Sequence, residues 1–269
     1  MAGRSIEERL DVGHVCAALE RHTRRLTALM RNITAADAPA IGSWSIHDVA
    51  LHVTDGMANY AKRINGESAS ELDAIRNMAQ WNVETVKRLP RKPLPELAAE
   101  MDRVTGAFIA VARSMAPDRM VPWYAGFSIP AVVAVALRLV EHIIHGYDMA
   151  KAARETWPIE RHDAVAMTYG LAYTSPHFVE PDRLDFEGTL EVRIRGEAPF
   201  FFAVKDRRLH VDGSVMRDAG FHISAEPVAW VLVSTERMSR VFAALTGRII
   251  GWGVRPLLPF KLQAASFRG

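Results

Sequence analysis

The chain has 269 residues, of which 49% are hydrophobic and 24% charged, and its formal net charge is +2 with the histidines neutral. These values are ordinary for a globular protein and give no strong positive charge of the kind that nucleic-acid binding requires. One cysteine, Cys16, against ten histidines excludes an intramolecular disulfide framework and any multi-cysteine metal site. A metal ion in this chain would therefore have to be held by histidine and carboxylate side chains.

The first 155 residues carry apolar side chains at spacings of three and four, which predicts helices. The predicted helices cover about 12–33, 45–65, 70–89, 95–115 and 128–152, with a loop over 117–126. Ser45 is a candidate N-cap for the second helix, with Asp48 in its first turn. Four long helices with short connections predict an antiparallel four-helix bundle, with one further helix to spare.

The pattern changes after Trp157-Pro158, where one more helix is followed by alternation of apolar and polar residues. Alternation with a period of two predicts β-strands, the first of them antiparallel. The predicted strands cover about 184–194, 200–204, 209–211, 221–223 and 247–252, and the predicted helices cover about 161–173, 227–233, 238–245 and 257–267. This half is therefore expected to be α+β. We place the domain boundary near residue 155, which gives domains of residues 1–155 and 156–269.

No segment of the sequence predicts a membrane span. The longest apolar run, over 129–137, has nine residues, far short of the ~20 needed to cross a bilayer. The first residues have no apolar core of a signal peptide. We therefore expect a cytoplasmic protein that has neither a membrane nor a nucleic-acid partner.

The candidate metal ligands lie on the second and fifth predicted helices. Glu141 and His145 are four residues apart, so they lie one above the other on one helix face. That face is among apolar residues, where an unpaired charge is costly and a bound metal removes the cost. His52 is at the edge of the apolar stripe of the second helix. Two histidines and one carboxylate with an open fourth position are typical of catalytic zinc, and Asp148 could accept an imidazole N–H.

The same residues have simpler interpretations. A Glu–His pair at this spacing is often only an ion pair, and a lone histidine such as His52 is often a core residue. We predict that His47 and His142 are not ligands but lie behind the ligands or face solvent. The ligand set does not identify the metal either, because two histidines and one carboxylate also bind iron, and imidazole suits nickel.

Two short motifs resemble those of a known family. The segment Trp44-Ser-Ile-His-Asp-Val-Ala-Leu-His52 resembles the Trp-Ser-x-x-Asp-x-x-x-His signature of the DinB-like metalloprotein superfamily. The run Arg138-x-x-Glu141-x-x-x-His145-x-x-Asp148 resembles the partner signature of its mycothiol-dependent maleylpyruvate isomerase branch, which Trp123 and Gly126 also fit. The segments 223–230 and 245–253 are similar to the sterol-carrier-like domain that such proteins carry.

The resemblance implies a DinB-like four-helix bundle followed by a sterol-carrier-like α+β domain. It implies that His52, Glu141 and His145 hold zinc and that mycothiol is the thiol cofactor. The family also uses an arginine of the C-terminal domain, and Arg248 is the best match to it. The implied activity is that of an isomerase or S-transferase, in which a mycothiol thiolate adds to a maleylpyruvate-like electrophile. Arg248 would neutralise the substrate's carboxylate in a pocket expected between the domains.

Two other functions stay open at this point. The zinc site could activate water for hydrolysis, with no thiol involved. Alternatively, the protein could be a non-catalytic one whose C-terminal half binds an apolar or lipid ligand through its aromatic side chains, which include Phe200–Phe202, Trp230 and Trp252. Cys16 is expected to be a small core residue of the first helix, so any reacting thiol must come from a cofactor.

Overall fold

A computed structural model describes residues 4–67, 72, 74–213 and 218–266 of the chain. The chain forms two compact units. The first, here called the helical unit, comprises Asp11–Ile159. The second, here called the sheet unit, begins at Glu160 and also includes the residues up to Leu10. The structure combines helices with a mixed sheet, which confirms the α plus β class predicted from the sequence.

The helical unit is built from four long helices and one shorter helix. These are α1 (Val12–Asn32), α2 (Ile46–Ile64), α3 (Met78–Arg88), α4 (Leu94–Ser114) and α5 (Ala131–Ala152). Helices α1 and α2 each pack against both α4 and α5, so the apolar stripes that predicted these helices meet in one core. Helix α5 is buried on nearly all sides. Within the described residues, no helix combines the length and the apolar composition needed to cross a membrane.

The start of α2 is fixed by a capping box. A short hairpin of β1 (Pro39–Ile41) and β2 (Trp44–Ser45) leads into the helix. The Ser45 hydroxyl accepts a hydrogen bond from the Asp48 backbone N–H at 3.2 Å, and the Asp48 carboxylate accepts one from the Ser45 backbone N–H at 2.9 Å. The two residues thus satisfy free backbone donors at the first turn. The cap sets the position of Trp44 and His52 on either side of it.

The segment before α5 differs from the prediction of a loop and an early helix start. Strand β3 (Met120–Pro122) pairs antiparallel with β4 (Ser128–Pro130), and α5 begins only at Ala131. The turn between the strands contains Ala125 and Gly126 at positive φ. Pro130 precedes the first helical turn, where its missing N–H costs nothing. A short apolar run such as 129–137 fits either a strand or a helix by periodicity alone, so the boundary was misplaced.

The third predicted helix is shorter than expected in the described residues. Its predicted start falls partly on residues 68–71 and 73, which lie outside the described part of the chain. A 3-10 turn at Ile75–Asn77 then leads into α3. The helix ends at Arg88, close to the predicted end.

The sheet unit contains five strands and four helices in its described part. In chain order these are α6 (Arg161–Thr174), β5 (Gly188–Ile194), β6 (Phe200–Lys205), β7 (Arg208–Asp212), β8 (Phe221–Ala225), α7 (Pro227–Ser234), α8 (Arg240–Leu245), β9 (Ile249–Trp252) and α9 (Leu258–Ala265). The strand order is β7-β6-β5-β8-β9. Only the β5–β8 pair is parallel, so the sheet is mixed. Strand β5 begins at Gly188, four residues later than predicted.

Alternate residues of the central strand β5 form the core of the sheet unit. Leu190, Val192 and Ile194 are all buried, as expected for one face of a strand. On the neighbouring strand β6, Phe200 is fully buried and its ring lies 6.3 Å from that of Tyr169 on α6, centroid to centroid. The sheet therefore packs its apolar face against α6.

Arg9 ties the N-terminal segment to the rest of the sheet unit. Arg9 donates hydrogen bonds to the backbone carbonyls of Ala198 at 2.8 Å, Pro199 at 2.9 Å and Gly213 at 2.6 Å. Its guanidinium also lies over the Tyr169 ring, 5.6 Å from the centroid. Three carbonyls and one aromatic face hold this segment against residues that lie between 160 and 204 positions further along the sequence.

One glycine of α5 is a sharp test of the packing in the helical unit. A Cβ added at Gly146 would overlap the Trp157 ring. We expect Gly146→Ala to lower the free energy of unfolding by about 1–3 kcal/mol, because the indole must move out of a filled space. The measurement is chemical denaturation followed by circular dichroism.

The matched control is Gly106→Ala on α4. A Cβ at this exposed position would contact nothing within 4 Å. Alanine is the better helix former, so this change should raise stability by about 0.5–1 kcal/mol. Equal stability changes in the two variants would contradict the assigned packing of Trp157.

Candidate metal centre

Three predicted ligands meet where α2 contacts α5. The Glu141 Oε2 atom lies 3.4 Å from His52 Nε2 and 3.3 Å from His145 Nε2. One potential ligand atom from each residue lies within 4.8 Å of the others. The two imidazole rings are nearly perpendicular, with centroids 5.0 Å apart. The structure therefore brings together all three residues that the sequence motifs singled out.

The helical spacing and the helix contact explain this meeting. Glu141 and His145 are four residues apart on α5, which places both side chains on the face that packs against α2. Their side chains are 29% and 13% exposed, and that of His52 is 16% exposed. The cluster is thus mostly enclosed but reachable from one side, as an open coordination position would require.

The distances in the cluster match those between the ligands of a metal ion. Zinc bonds to nitrogen and oxygen of about 2.0–2.2 Å place tetrahedral ligand atoms about 3.3–3.6 Å apart. The two measured separations from the Glu141 oxygen, 3.3 and 3.4 Å, agree with this value. Both are longer than a usual N–H···O hydrogen bond of about 2.7–3.2 Å. Within the described residues, no second group of three potential ligands lies this close together.

Asp148 lies behind His145, at the position expected for a carboxylate that orients a ligand. Its Oδ2 atom is 3.3 Å from His145 Nδ1, and its side chain is buried. A carboxylate at Nδ1 favours the imidazole tautomer with the proton on that atom. In that tautomer Nε2 could coordinate a metal ion beside Glu141 and His52.

The electrostatics of the cluster favour an ionised carboxylate. Burial alone would raise the pKa of Glu141, but hydrogen bonds with His145 and His52 and the positive charge of Arg138 lower it well below its usual range. Burial would lower the pKa of His145, yet Asp148 and Glu141 raise it to about 9. Burial lowers the pKa of His52 despite its contact with Glu141. A metal ion and a proton would therefore compete for His145.

Three residues beside the cluster were given no role at the site by the sequence argument, although Trp44 and Arg138 stand in the quoted motifs. The Trp44 ring lies 4.9 Å from that of His52, centroid to centroid. Asp55 follows His52 by three residues and is half-buried; burial raises the pKa of this carboxyl. Arg138 is buried three residues before Glu141. Helical spacing could have indicated Asp55 and Arg138, since residues three apart share a helix face.

An aromatic group surrounds the buried Arg138. Its guanidinium lies over the Tyr60 ring, 3.6 Å from the centroid. The indole N–H of Trp123 donates to the Tyr60 hydroxyl at 2.5 Å, and the Trp123 carbonyl accepts from Arg63 at 2.9 Å. Trp123, quoted above for its fit to the family, thus helps to hold the ring on which Arg138 rests.

The histidines predicted as non-ligands are held elsewhere. His142 is fully buried, with Nδ1 2.8 Å from the Arg138 carbonyl, and burial lowers its pKa to about 3. His47 is buried as well, with Nε2 2.7 Å from the Lys92 carbonyl. It does not face solvent, which was one of its two predicted positions. Cys16 is a buried free thiol, and burial raises its pKa.

Arg248 belongs to the sheet unit and is not one of the residues of this cluster. It lies at the bend between α8 and β9. Its backbone N–H donates to the Ala243 carbonyl at 2.9 Å, and its carbonyl accepts from the Glu226 N–H at 2.8 Å. The backbone is therefore fixed while the side chain is exposed. No hydrogen bond or ion pair of its guanidinium occurs with the described residues.

A helical unit with a two-histidine, one-carboxylate cluster defines a candidate metalloprotein. The family model described as "Mycothiol maleylpyruvate isomerase N-terminal domain" matches residues 15–150, slightly more than half of the chain. The chain therefore belongs to this family, and the predicted membership of an isomerase-like enzyme family is confirmed. The matched region contains His52, Glu141 and His145.

Solved structures show the same fold. A crystal structure of the mycothiol-dependent maleylpyruvate isomerase aligns with a TM-score of 0.55 at 12% identity, covering 87% of this chain and 92% of that one. A histidine-to-alanine mutant of the enzyme aligns with a TM-score of 0.54 at 11% identity and the same coverage. No curated protein matches the chain at a significant level. The likeness thus covers both units rather than the helical unit alone.

The cluster predicts one bound metal ion for each chain. We expect wild-type protein supplied with Zn²⁺ and then desalted to retain about one equivalent, measured by mass spectrometry of the metal content. His52→Ala, Glu141→Ala and His145→Ala should each retain less than about a tenth of this amount, because two ligands cannot replace three.

His210→Ala is the control, because His210 is an exposed histidine on β7 of the sheet unit. This variant should keep the full metal content. A wild type that stays free of metal after supplementation, or equal loss in the control, would show that the cluster does not bind metal.

Proposed function

We propose that the protein is a zinc- and mycothiol-dependent isomerase or S-transferase that acts on a small, electrophilic, maleylpyruvate-like substrate. The observation that carries the proposal is the His52–Glu141–His145 cluster, which lies inside the region matched by the family model. We further propose that the enzyme works in the cytoplasm, as expected from the sequence.

The proposal includes the finer fold assignment. The helical unit would be the DinB-like antiparallel four-helix bundle, and the sheet unit the sterol-carrier-like α+β domain, with the boundary near residue 155. The packing of α1 and α2 against both α4 and α5 supports the first assignment. The mixed sheet with helices between its strands supports the second.

The metal and the thiol would meet at the exposed side of the cluster. When bound there, zinc lowers the pKa of a coordinated thiol, so that the thiolate is present at neutral pH. The chain offers no thiol of its own for this purpose, since its one cysteine is buried in the core. The sulfur would therefore come from mycothiol.

Neighbouring side chains of the protein would orient the three ligands and favour the ionised form of Glu141. Asp148 would orient the His145 ring from 3.3 Å away at Nδ1, and the Trp44 ring packs beside His52. The positive charge of Arg138 adds to the effect of the two histidines in lowering the pKa of Glu141. Preset ligands of this kind bind a metal without a large rearrangement.

Arg248 is proposed as the residue that binds a carboxylate of the substrate. Its guanidinium is exposed while its backbone is fixed at both sides. A planar guanidinium binds a carboxylate through two parallel hydrogen bonds. In this role Arg248 would neutralise the substrate's negative charge and any charge that develops next to it.

An assay with two omissions tests the proposed activity. Zinc-loaded protein is mixed with maleylpyruvate, with and without mycothiol, and formation of the trans isomer is followed by chromatography. We expect turnover only with both zinc and mycothiol present, and a loss of at least about 100-fold in His145→Ala, because the thiol is no longer activated. His210→Ala should retain full activity.

The other outcomes assign the remaining candidate functions. Bound metal with hydrolytic turnover that is unaffected by mycothiol would replace the proposal with the hydrolase. Absence of metal, together with binding of an apolar ligand that is unchanged in His52→Ala, would replace it with the binding protein. The packing argues against the latter, since Phe200 and Phe201 are buried in the core of the sheet unit.

The role of Arg248 predicts weaker substrate binding with no change in metal binding. Arg248→Met should raise KM for a dicarboxylate substrate at least about tenfold with an unchanged metal content, and Arg248→Lys should restore part of the loss. Arg208→Met, at an exposed position of β7, is the control and should leave KM unchanged. Identical KM values for Arg248→Met and wild type would rule out the assignment.

A further inference from the structure

The exposed large apolar side chains are concentrated in one stretch of the sheet unit. Ten such side chains occur among the described residues, and eight of them fall within residues 241–260. Val254 and Leu245 are the most exposed, at 89% and 84%. The other two, Met120 and Phe127, belong to the helical unit. We call the stretch 241–260 the C-terminal apolar surface.

Helix α8 presents its apolar side to solvent. At about 100° per residue, Val241, Phe242 and Leu245 fall within one arc of about 100°, and all three are exposed. Ala243 lies on the other side of the helix and is fully buried. An ordinary surface helix turns its apolar side to the core, whereas α8 turns its large apolar side chains to solvent.

The neighbouring strand continues this surface. Strand β9 contacts α8 and forms one edge of the sheet. Ile250 and Trp252 are two residues apart, so they share one face of the strand, and both are about half exposed. The Trp252 ring stacks on His222 of the adjacent strand, which holds it in place. Leu257 and Phe260 follow shortly after and are also exposed.

The same stretch is strongly basic. Residues 237–261 contain five lysines and arginines and no acidic residue, in a chain whose net charge is only +2, so the rest of the chain is net negative. Arg240, Arg255 and Lys261 are exposed. Arg240 donates a hydrogen bond to the side-chain amide oxygen of Gln263, and Arg255 donates one to the backbone carbonyl of Glu187. Both acceptors are uncharged, so the two positive charges are available to an anionic partner.

We propose that the C-terminal apolar surface docks the protein on an anionic lipid bilayer. Apolar side chains flanked by Lys and Arg suit the boundary between headgroups and acyl chains, where apolar burial and attraction to anionic lipid act together.

A second copy of the chain fits this surface less well, because a symmetric contact would bring two basic surfaces together. Nucleic acid also fits less well, because its charged backbone would not bury exposed leucine, valine and phenylalanine side chains. A protein can bind the surface of a bilayer without a membrane-spanning segment, so this proposal is compatible with the lack of such a segment among the described residues.

Vesicle binding by the full chain tests the proposal. Protein is sedimented with vesicles of phosphatidylcholine alone or with about 40% phosphatidylglycerol. We expect partition to the anionic vesicles, at least about tenfold weaker binding to neutral vesicles, and a marked loss at high salt. The double variant Leu245→Asp with Val254→Asp should lower partition at least about tenfold. Met120→Asp, which removes an exposed apolar side chain of the helical unit, should bind as wild type does.

A second readout is independent of these variants. Brominated lipids should quench the tryptophan fluorescence of the wild type, and the quenching should be much smaller in Trp252→Phe. Circular dichroism checks that each variant is folded. Failure of the wild type to bind anionic vesicles, or an equal loss in Met120→Asp, would overturn the proposal. Concentration-dependent dimerisation that the double variant abolishes, without vesicle binding, would instead assign the surface to self-association.

Discussion

The helical unit is organised around one constraint, the placement of an ionised carboxylate between two helices in an otherwise apolar environment. Glu141 lies on α5, a helix buried on nearly all sides, and its charge would be destabilising there without partners. His145 on the same helix and His52 on α2 provide those partners, and Arg138 adds a positive charge one turn earlier. The cluster therefore depends on close contact between α2 and α5. The cap at Ser45, which sets the start of α2, contributes to it directly.

Much of the helical unit could be predicted because its helices are long and strongly periodic. Helices α1, α2 and α4 lie where the apolar spacing indicated them, and Ser45 caps α2 through the residue expected. The hairpin before α5 could not be predicted in this way. Its strands are three residues long, and in such short runs the pairing of Val121 with Ile129 leaves no periodic signal. Tertiary pairing, not local propensity, determines that segment.

For the site as well, features set within one helix could be predicted from the sequence, and features set by packing between helices could not. The pair Glu141 and His145 follows from spacing on a single helix, so the sequence could predict that both share a face. The approach of His52 depends on how two helices pack, which spacing does not specify and which only the family resemblance supplied. The support from Arg138, whose guanidinium rests on Tyr60 of another helix, needed the structure. The spacing of residues along the sequence does not show that the guanidinium of Arg138 contacts the ring of Tyr60.

The attachment of residues 4–10 has a consequence for how the chain is assembled. Because Arg9 holds Ala198 and Gly213, positions 189 and 204 residues further along, the sheet unit is discontinuous and the helical unit is inserted within it. Closing a loop of this length carries an entropic penalty that local contacts do not offset. During synthesis residues 4–10 leave the ribosome before the helical unit, and their partners Tyr169, Ala198 and Gly213 are made only after it. The helical unit can thus complete its folding before the two parts of the other unit meet, which makes residues 4–10 among the last to reach their final contacts.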